Sequence, residues 1–258
     1  MLMSEYINIK NEDRIKFICI NRPDKKNALD MAMYSALAQA LQDADADKNI
    51  RVSYLTGVAD AFCSGNDISD FLKNPPVDES SPVIKFINAL INAEKPIVAA
   101  VNGIAVGIGT TMLLHCDLVY ASDAAQFQLP FVNIGLCPEA GSTYILSTLI
   151  GHQKASELLL LGDRFSAEQA EQFGFVNKVV SESELETNAM KSAKRIAEQP
   201  PNATKVTKEL MRSTMRAQII DAKQRELASF IPMLDGAEAK EALTAFMEKR
   251  KSDFSSFE

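Results

Sequence analysis

Apolar residues fall along this chain in two rhythms. Some come in short, dense runs bounded by turn residues. Others recur every three or four positions over longer stretches. RIKFICINRP (14–23) is a β-rich run stopped by proline, and RVSYLTG (51–57) is a second strand. KPIVAAVNG (95–103) is almost wholly apolar, as a strand covered on both faces requires, and DLVYAS (117–122) is a fourth strand. Between them ALDMAMYSALAQALQDADAD (28–47) sets Leu29, Met33, Leu37 and Leu41 on one face at helical spacing. VIKFINALINAE (83–94) and GTTMLLHC (109–116) read as further helices, and KNPPVDESSP (73–82) as an exposed loop. Strands alternating with helices predict an α/β chain. After about residue 163 the rhythm changes. One last strand, FVNKVV (175–180), is followed by three amphipathic helical stretches separated by the prolines at 200–201 and the P-x-x-D-G at 232–236. This divides the chain into an α/β core over 1–195 and a helical region over 196–258. The apolar faces of that region suit either a neighbouring subunit or the chain's own core, and sequence alone does not separate the two.

Composition narrows the function. At 258 residues with 47% hydrophobic and 24% charged residues, the chain buries a sizeable core without staples. A net charge of −7 argues against nucleic acid and against an anionic membrane surface, both of which call for clustered Lys and Arg. No apolar run is long enough to span a bilayer. The four cysteines, Cys19, Cys63, Cys116 and Cys137, are scattered without metal-ligand or disulfide spacing. With an opening stretch that lacks a secretory apolar segment and an ending, FSSFE, that is no peroxisomal address, they lead to the expectation of a cytoplasmic protein with free thiols and no metal.

Glycine marks where the chemistry sits. Six of the 11 glycines lie between 103 and 151. The densest cluster, NGIAVGIGTT (102–111), joins a buried strand to a helix, so its free N–H groups form a seat for negative charge. It has no GK[ST] and no G-x-G-x-x-G, so it is neither a Walker loop nor a dinucleotide fingerprint. AFCSGNDISDF (61–71) is a second such loop, and two loops each offering one N–H can form an oxyanion hole. Between Pro138 and two small residues stands Glu139, in CPEAG. It has two readings: a first-turn carboxylate facing a helix dipole, or a base in a partly dry pocket. His115 and His152 read as a core and a helix-start residue, and Asp67 and Asp70 as turn or cap residues.

Taken together, NRPDKKNALD, FCSGNDIS, KPIVAAVNGIAVGIG, CDLVYAS, LPFVNIGLCPEAGSTYILSTLIG, ASELLLLGDRFSAEQAEQFGFVNKVV and AFMEKRKSDF resemble the crotonase superfamily of enoyl-CoA hydratases and isomerases, in family order and over nearly the whole chain. The resemblance implies a spiral of ββα repeats, a C-terminal helical region, a homotrimer or dimer of trimers, and acyl-CoA thioester substrates. CoA then enters as part of the substrate, and no other cofactor is implied. It also implies that the N–H groups of Asn66 and Ile108 hold the thioester oxygen. CoA would lie against Lys25, Lys26, Asp67 and Ile68, with Phe246 and Lys249 of the last helix closing the CoA site of a neighbouring subunit. Phe71, Leu72, Phe131, Ile134 and Leu136 are candidates for an acyl pocket.

The departures from the family pattern bear on the reaction. The two glutamates of the hydratases are replaced by Thr111 and Phe131, which cannot activate water. PEAGSTY instead resembles the Δ3,Δ2-enoyl-CoA isomerases, in which one acidic residue after this proline does the acid–base work, and SGND fits that subgroup better than the hydratase GAD. The sequence therefore points to an isomerase with Glu139 as its single base. Hydration through a water held by Glu139, another crotonase reaction, and a non-catalytic acyl-CoA-binding role stand as alternatives.

Overall fold

The computed structural model describes residues 4–257, with only the main chain of Phe246. Ten strands fall into two sheets. The larger has the order β1 (Ile7–Glu12), β2 (Ile15–Ile20), β3 (Val52–Gly57), β5 (Ile97–Val101), β7 (Leu118–Ser122) and β10 (Lys178–Val180). The smaller has β4 (Ala61–Cys63), β6 (Ile104–Val106), β8 (Gln126–Gln128) and β9 (Phe165–Ser166). Pairing is parallel except for the β1–β2 hairpin and the β8–β9 edge. The pairs β3/β4, β5/β6 and β7/β8 each send a first strand to the large sheet and a second to the small one. That repeat winds the chain into a spiral.

The period of two in the strands sorts the core into two layers. Ile15, Val52, Tyr54, Val98 and Ala100 face one side of the large sheet, against Leu185, Ala189, Ala193 and Ala197 of α8 (Glu182–Glu198). The alanines recur every fourth residue, so α8 lays a small-residue stripe on the strands. Ile18, Ile20, Leu55, Ala99, Val101 and Val119 face the other side, where the main core is formed with α1 (Met31–Ala46) and α3 (Pro82–Asn92).

Several sequence expectations shift at their edges. α1 starts at Met31 because the Asp30 carboxylate caps it by accepting from Met33 N–H, which leaves Leu29 outside the helix. The helix expected over 109–116 is α4 (Ile108–Thr111), which tightens into a 3-10 turn at Met112–His115. The strand expected over 175–180 is only β10. β1 and the three-residue strands of the small sheet are too short or too polar to show a period in sequence. The chain then runs through α2 (Ile68–Lys73), α5 (Ser142–Ile150), α6 (His152–Ser156), α7 (Ala167–Phe173), α9 (Pro201–Leu234) and α10 (Ala237–Met247). α9 runs through Pro232, expected as a separator, and ends two residues beyond it at Leu234. The second half of α9 folds back on its own chain, where Ile219, Leu227 and Phe230 are buried. Among the described residues no helix is long and apolar enough to cross a membrane.

Candidate active site

The two glycine-bearing loops meet at the carboxyl ends of β4 and β6. Their approach is close: a Cβ on Gly109 would lie 2.2 Å from the Cys63 carbonyl oxygen, and one on Gly65 3.0 Å from that of Val106. Gly65 (φ 98°) and Gly107 (φ 56°, ψ −121°) turn the main chain at positions an L side chain rarely tolerates. Leu29 fastens the first loop. Its N–H donates to the Gly65 carbonyl at 2.8 Å, and its carbonyl accepts from Asp67 N–H at 2.9 Å. The backbone N–H groups of Asn66 and Ile108 donate no hydrogen bond among the described residues, and both residues line one cavity of about 520 Å³. Two unspent donors at one wall are what an anionic oxygen needs.

Glu139 lines the same cavity. It is 7% exposed. Its Oε1 accepts from Thr111 Oγ1 at 2.5 Å, while Oε2 has no partner. Burial pushes the carboxyl up to about 8; the Thr111 hydrogen bond pulls against this, and the charge of Glu226 adds to it. Glu139 does not serve the helix behind it. The N-terminus of α5 is held by another carboxylate, Glu226 of α9, which accepts from Gly141 N–H at 2.6 Å and Thr143 N–H at 3.0 Å. The helix-dipole reading of Glu139 is thereby corrected: that role belongs to Glu226.

Sequence reasoning missed Tyr34 and Glu226. Tyr34 lines the cavity from α1, and its hydroxyl donates to Asn66 Oδ1 at 2.5 Å. Burial raises its phenol well above the usual value. Both residues carry a sequence signal in retrospect. Tyr34 follows Met33 on the buried face of α1, where a hydroxyl must find a partner. Glu226 lies seven residues after Ile219 and four before Phe230, a charge on an apolar helical face.

The other named residues divide. Lys25, Asp67 and Ile68 line the cavity, as do Phe71, Phe131 and Ile134. The Asp67 side chain is engaged: burial raises its carboxyl, but hydrogen bonds from Ser69 and Asp70 N–H and the Arg22 guanidinium at 2.9 Å outweigh this and lower it. Asp67 therefore caps α2, and Asp70 accepts from Met31 N–H at 2.8 Å. Leu72 is corrected: it is 48% exposed and lines a neighbouring groove between α2 and α10. Leu136 is corrected as well, being buried in the main core away from the cavity. Lys26 does not reach the cavity; its ammonium pairs with Asp60 at 3.5 Å on the surface, and its carbonyl accepts from Ser64 N–H. Lys249 is exposed and off the cavity, and the Phe246 side chain lies outside the described residues. His115 is buried; burial and the nearby Arg212 push it down to about 3, so it is neutral, with Nε2 donating to the Ala140 carbonyl at 2.8 Å. His152 is exposed at the start of α6, where the sequence reading placed it. The Cys63 thiol, raised by burial to about 12, is a packing group.

A spiral α/β core carries one cavity lined by two unspent backbone donors and by the buried, unpaired Glu139 carboxyl, an arrangement suited to holding an anionic oxygen beside an acid–base group. The comparisons with known proteins give the family. Residues 10–256 match the family model described as enoyl-CoA hydratase/isomerase. The chain belongs to that family, within the crotonase superfamily. It is 35% identical to a mouse (Mus musculus) protein named enoyl-CoA delta isomerase 3, peroxisomal, over 96% of this chain and 80% of that one. It is 34% identical to a Pongo abelii protein named enoyl-CoA hydratase, mitochondrial, over 93% of this chain and 83% of that one. A crystal structure of an enoyl-CoA hydratase/isomerase from Pseudoalteromonas atlantica T6c superimposes with a TM-score of 0.93 at 39% identity, covering 97% of this chain and all of that one (100%).

Proposed function

We propose that the protein is a Δ3,Δ2-enoyl-CoA isomerase in which Glu139 is the only acid–base group. The observation that carries this is the pairing of one buried, unpartnered carboxyl oxygen with two unspent backbone donors on one cavity, with Thr111 and Phe131 standing where the family resemblance puts the hydratase glutamates. Glu139 Oε2 takes a proton from C2 of a 3-enoyl-CoA as the C2–H bond breaks. The electron pair delocalises onto the thioester oxygen, which Asn66 and Ile108 N–H hold. The same carboxyl returns the proton at C4, and the double bond shifts from C3–C4 to C2–C3. A single group suffices because the proton is moved, not consumed. Thr111 holds Oε1, which leaves Oε2 to do the transfer. CoA arrives with the substrate, and the mechanism calls on no metal. Lys25 stands at the loop side of the cavity, where it suits a CoA phosphate, and the acyl chain suits Phe71, Phe131 and Ile134.

We take the assembly to be a trimer or a dimer of trimers. Val206, Leu210 and Met211, exposed on the first half of α9, support a covered face there, and sedimentation measures it.

The deciding experiment is turnover of 3-hexenoyl-CoA by the wild type and Glu139→Gln, with crotonyl-CoA hydration run beside it. Isomerisation by the wild type, reduced by ~10³ or more in the variant with CoA binding kept, is the expected result. Efficient hydration without isomerisation overturns the mechanism in favour of the hydratase reading. CoA binding with no turnover of either substrate favours another acyl-CoA reaction or a binding role.

A further inference from the structure

The segment that presents Glu139 has an unusual backbone. Ala140 and Gly141 are both left-handed, with φ 61° and 71°, and Ser142 N–H closes the turn on the Glu139 carbonyl at 3.1 Å. Alanine in that region is held there by its surroundings and not by preference. Two elements do the holding. His115 donates to the Ala140 carbonyl from the side of the 3-10 turn. From α9, Glu226 accepts the N–H groups of Gly141 and Thr143 and the Thr143 hydroxyl, the last at 2.6 Å. Glu226 is 6% exposed, and α5 has no capping side chain of its own.

The charges around this turn are few. Glu139 faces Thr111 from α4, Tyr34 from α1, Glu226 from α9 and Cys137 on its own segment. Lys25 and Asp67 stand elsewhere in the cavity wall, and His115 is neutral. Arg225, beside Glu226, points to solvent and pairs with Asp221. Among the described residues no cation pairs with Glu139 or Glu226. The N–H groups at the start of α5, of which Glu226 takes those of Gly141 and Thr143, are therefore a source of positive potential beside Glu139, next to the Asn66 and Ile108 N–H groups of the cavity wall. Left uncapped, they would favour the carboxylate and weaken it as a base.

We propose that Glu226 is a positioning residue for the Glu139 base: from α9 it fixes the 139–143 turn and screens Glu139 from the electropositive start of α5, keeping that carboxyl basic enough to hold a shuttled proton. This rests on reading Glu139 as the base. It makes the C-terminal helical region part of the catalytic design through one carboxylate and not only through its apolar face.

The test is a titration independent of substrate, joined to kinetics. Protein labelled with ¹³C at the glutamate carboxyls is titrated as wild type, Glu226→Gln and Glu226→Asp, the Glu139 signal being assigned by its loss in Glu139→Gln. In Glu226→Gln the Glu139 midpoint is expected to fall by about one pH unit. With 3-hexenoyl-CoA above the midpoint, where the base is ionised in both proteins, kcat should fall ~10-fold or more while KM stays within a factor of about three. Glu226→Asp keeps the charge on a shorter arm, so it should hold the midpoint and still lower kcat. An unmoved midpoint in Glu226→Gln overturns the proposal. If that variant does not fold, a displaced midpoint in Glu226→Asp overturns it and a retained one supports it. Full turnover by Glu139→Gln would instead defeat the base assignment, with the titration still deciding whether Glu226 tunes Glu139.

Discussion

Glu139 was the most ambiguous residue in the sequence, and its surroundings resolve what its neighbours in the chain could not. The Pro-Glu-Ala-Gly run is compatible with a helix cap. Glu226 takes that role because α9, more than 80 positions away, crosses the start of α5. Burial then pushes the Glu139 carboxyl up to about 8. Two outcomes follow for this residue. As a base it works deprotonated, so kcat/KM for a 3-enoyl-CoA should climb about tenfold per pH unit below that midpoint and level off above it. Stability runs the other way. Between the ordinary carboxyl value of 4.5 and about 8, the native chain holds a proton at Glu139 that the unfolded chain has lost. Stability contributed here falls as pH rises through that window. Glu139→Gln should therefore gain in Tm over the wild type as pH goes from 5 to 9, a widening that thermal scans at several pH values would register. Tyr34 is the second residue-scale case. Tyr34→Phe removes the donor to the half-buried Asn66 side-chain oxygen and should cost about 0.5–1.5 kcal/mol, read from denaturant melts. kcat should fall more than KM rises, because Asn66 supplies an oxyanion donor in the proposed reaction.

The elements matter through how closely they approach. The loops after β4 and β6 put their donors on one wall only because Gly109 has no side chain to push the Cys63 carbonyl away. A methyl there has backbone on the other side and nowhere to go. Gly107 differs: nothing lies within 4 Å of its would-be Cβ, so only its positive φ resists substitution. Gly109→Ala should accordingly destabilise the fold by several kcal/mol and abolish turnover. Gly107→Ala should lose about 1–2 kcal/mol, with activity reduced but measurable. Comparable losses for the two variants in a urea melt would sink the close-approach argument. The NRPDKKN segment shows the same dependence on distant backbone. Asn27, left-handed and fully buried, donates to the Val58 and Ala61 carbonyls and accepts from Arg22 N–H. That fixes the loop from which Lys25 reaches the cavity.

At the scale of the whole molecule, α9 ties the C-terminal region to the middle of the chain. Lys208 meets Asp117 at 2.7 Å and Arg212 the His115 carbonyl; Glu226 caps α5; Leu227 and Phe230 wall the cavity. Lys223, 4% exposed, bridges Glu79 at 2.8 Å and Asn88 at 3.0 Å, and so holds the 74–81 segment, whose Pro76 roofs the cavity. Lys223→Met removes the bridge while keeping the apolar stem. It should speed proteolytic cleavage within 74–81 several-fold with the global melt little changed, an effect that mass mapping of early fragments would locate. Cleavage unchanged in rate and position would show that apolar contacts alone hold the segment.

What the sequence determined is what local rhythm and local chemistry encode. The apolar runs of β2, β3, β5 and β7, the amphipathic faces of α1 and α3, and the glycine loops are visible because their signals repeat within a few residues. Family motifs read in order supplied the two donor loops and the carboxylate. The tertiary structure alone decided the rest. Leu29 left its helix to clamp the Asn66 loop because its backbone pairs across the fold with Gly65 and Asp67. Leu72 and Leu136 are apolar like Phe71 and Ile134, and only packing sends two to the cavity and two elsewhere. The raised carboxyl of Glu139 comes from burial, opposed by the Thr111 hydrogen bond and helped by the charge of Glu226. Desolvation and charge act through space, across contacts between residues far apart in the chain, and no window of sequence contains them.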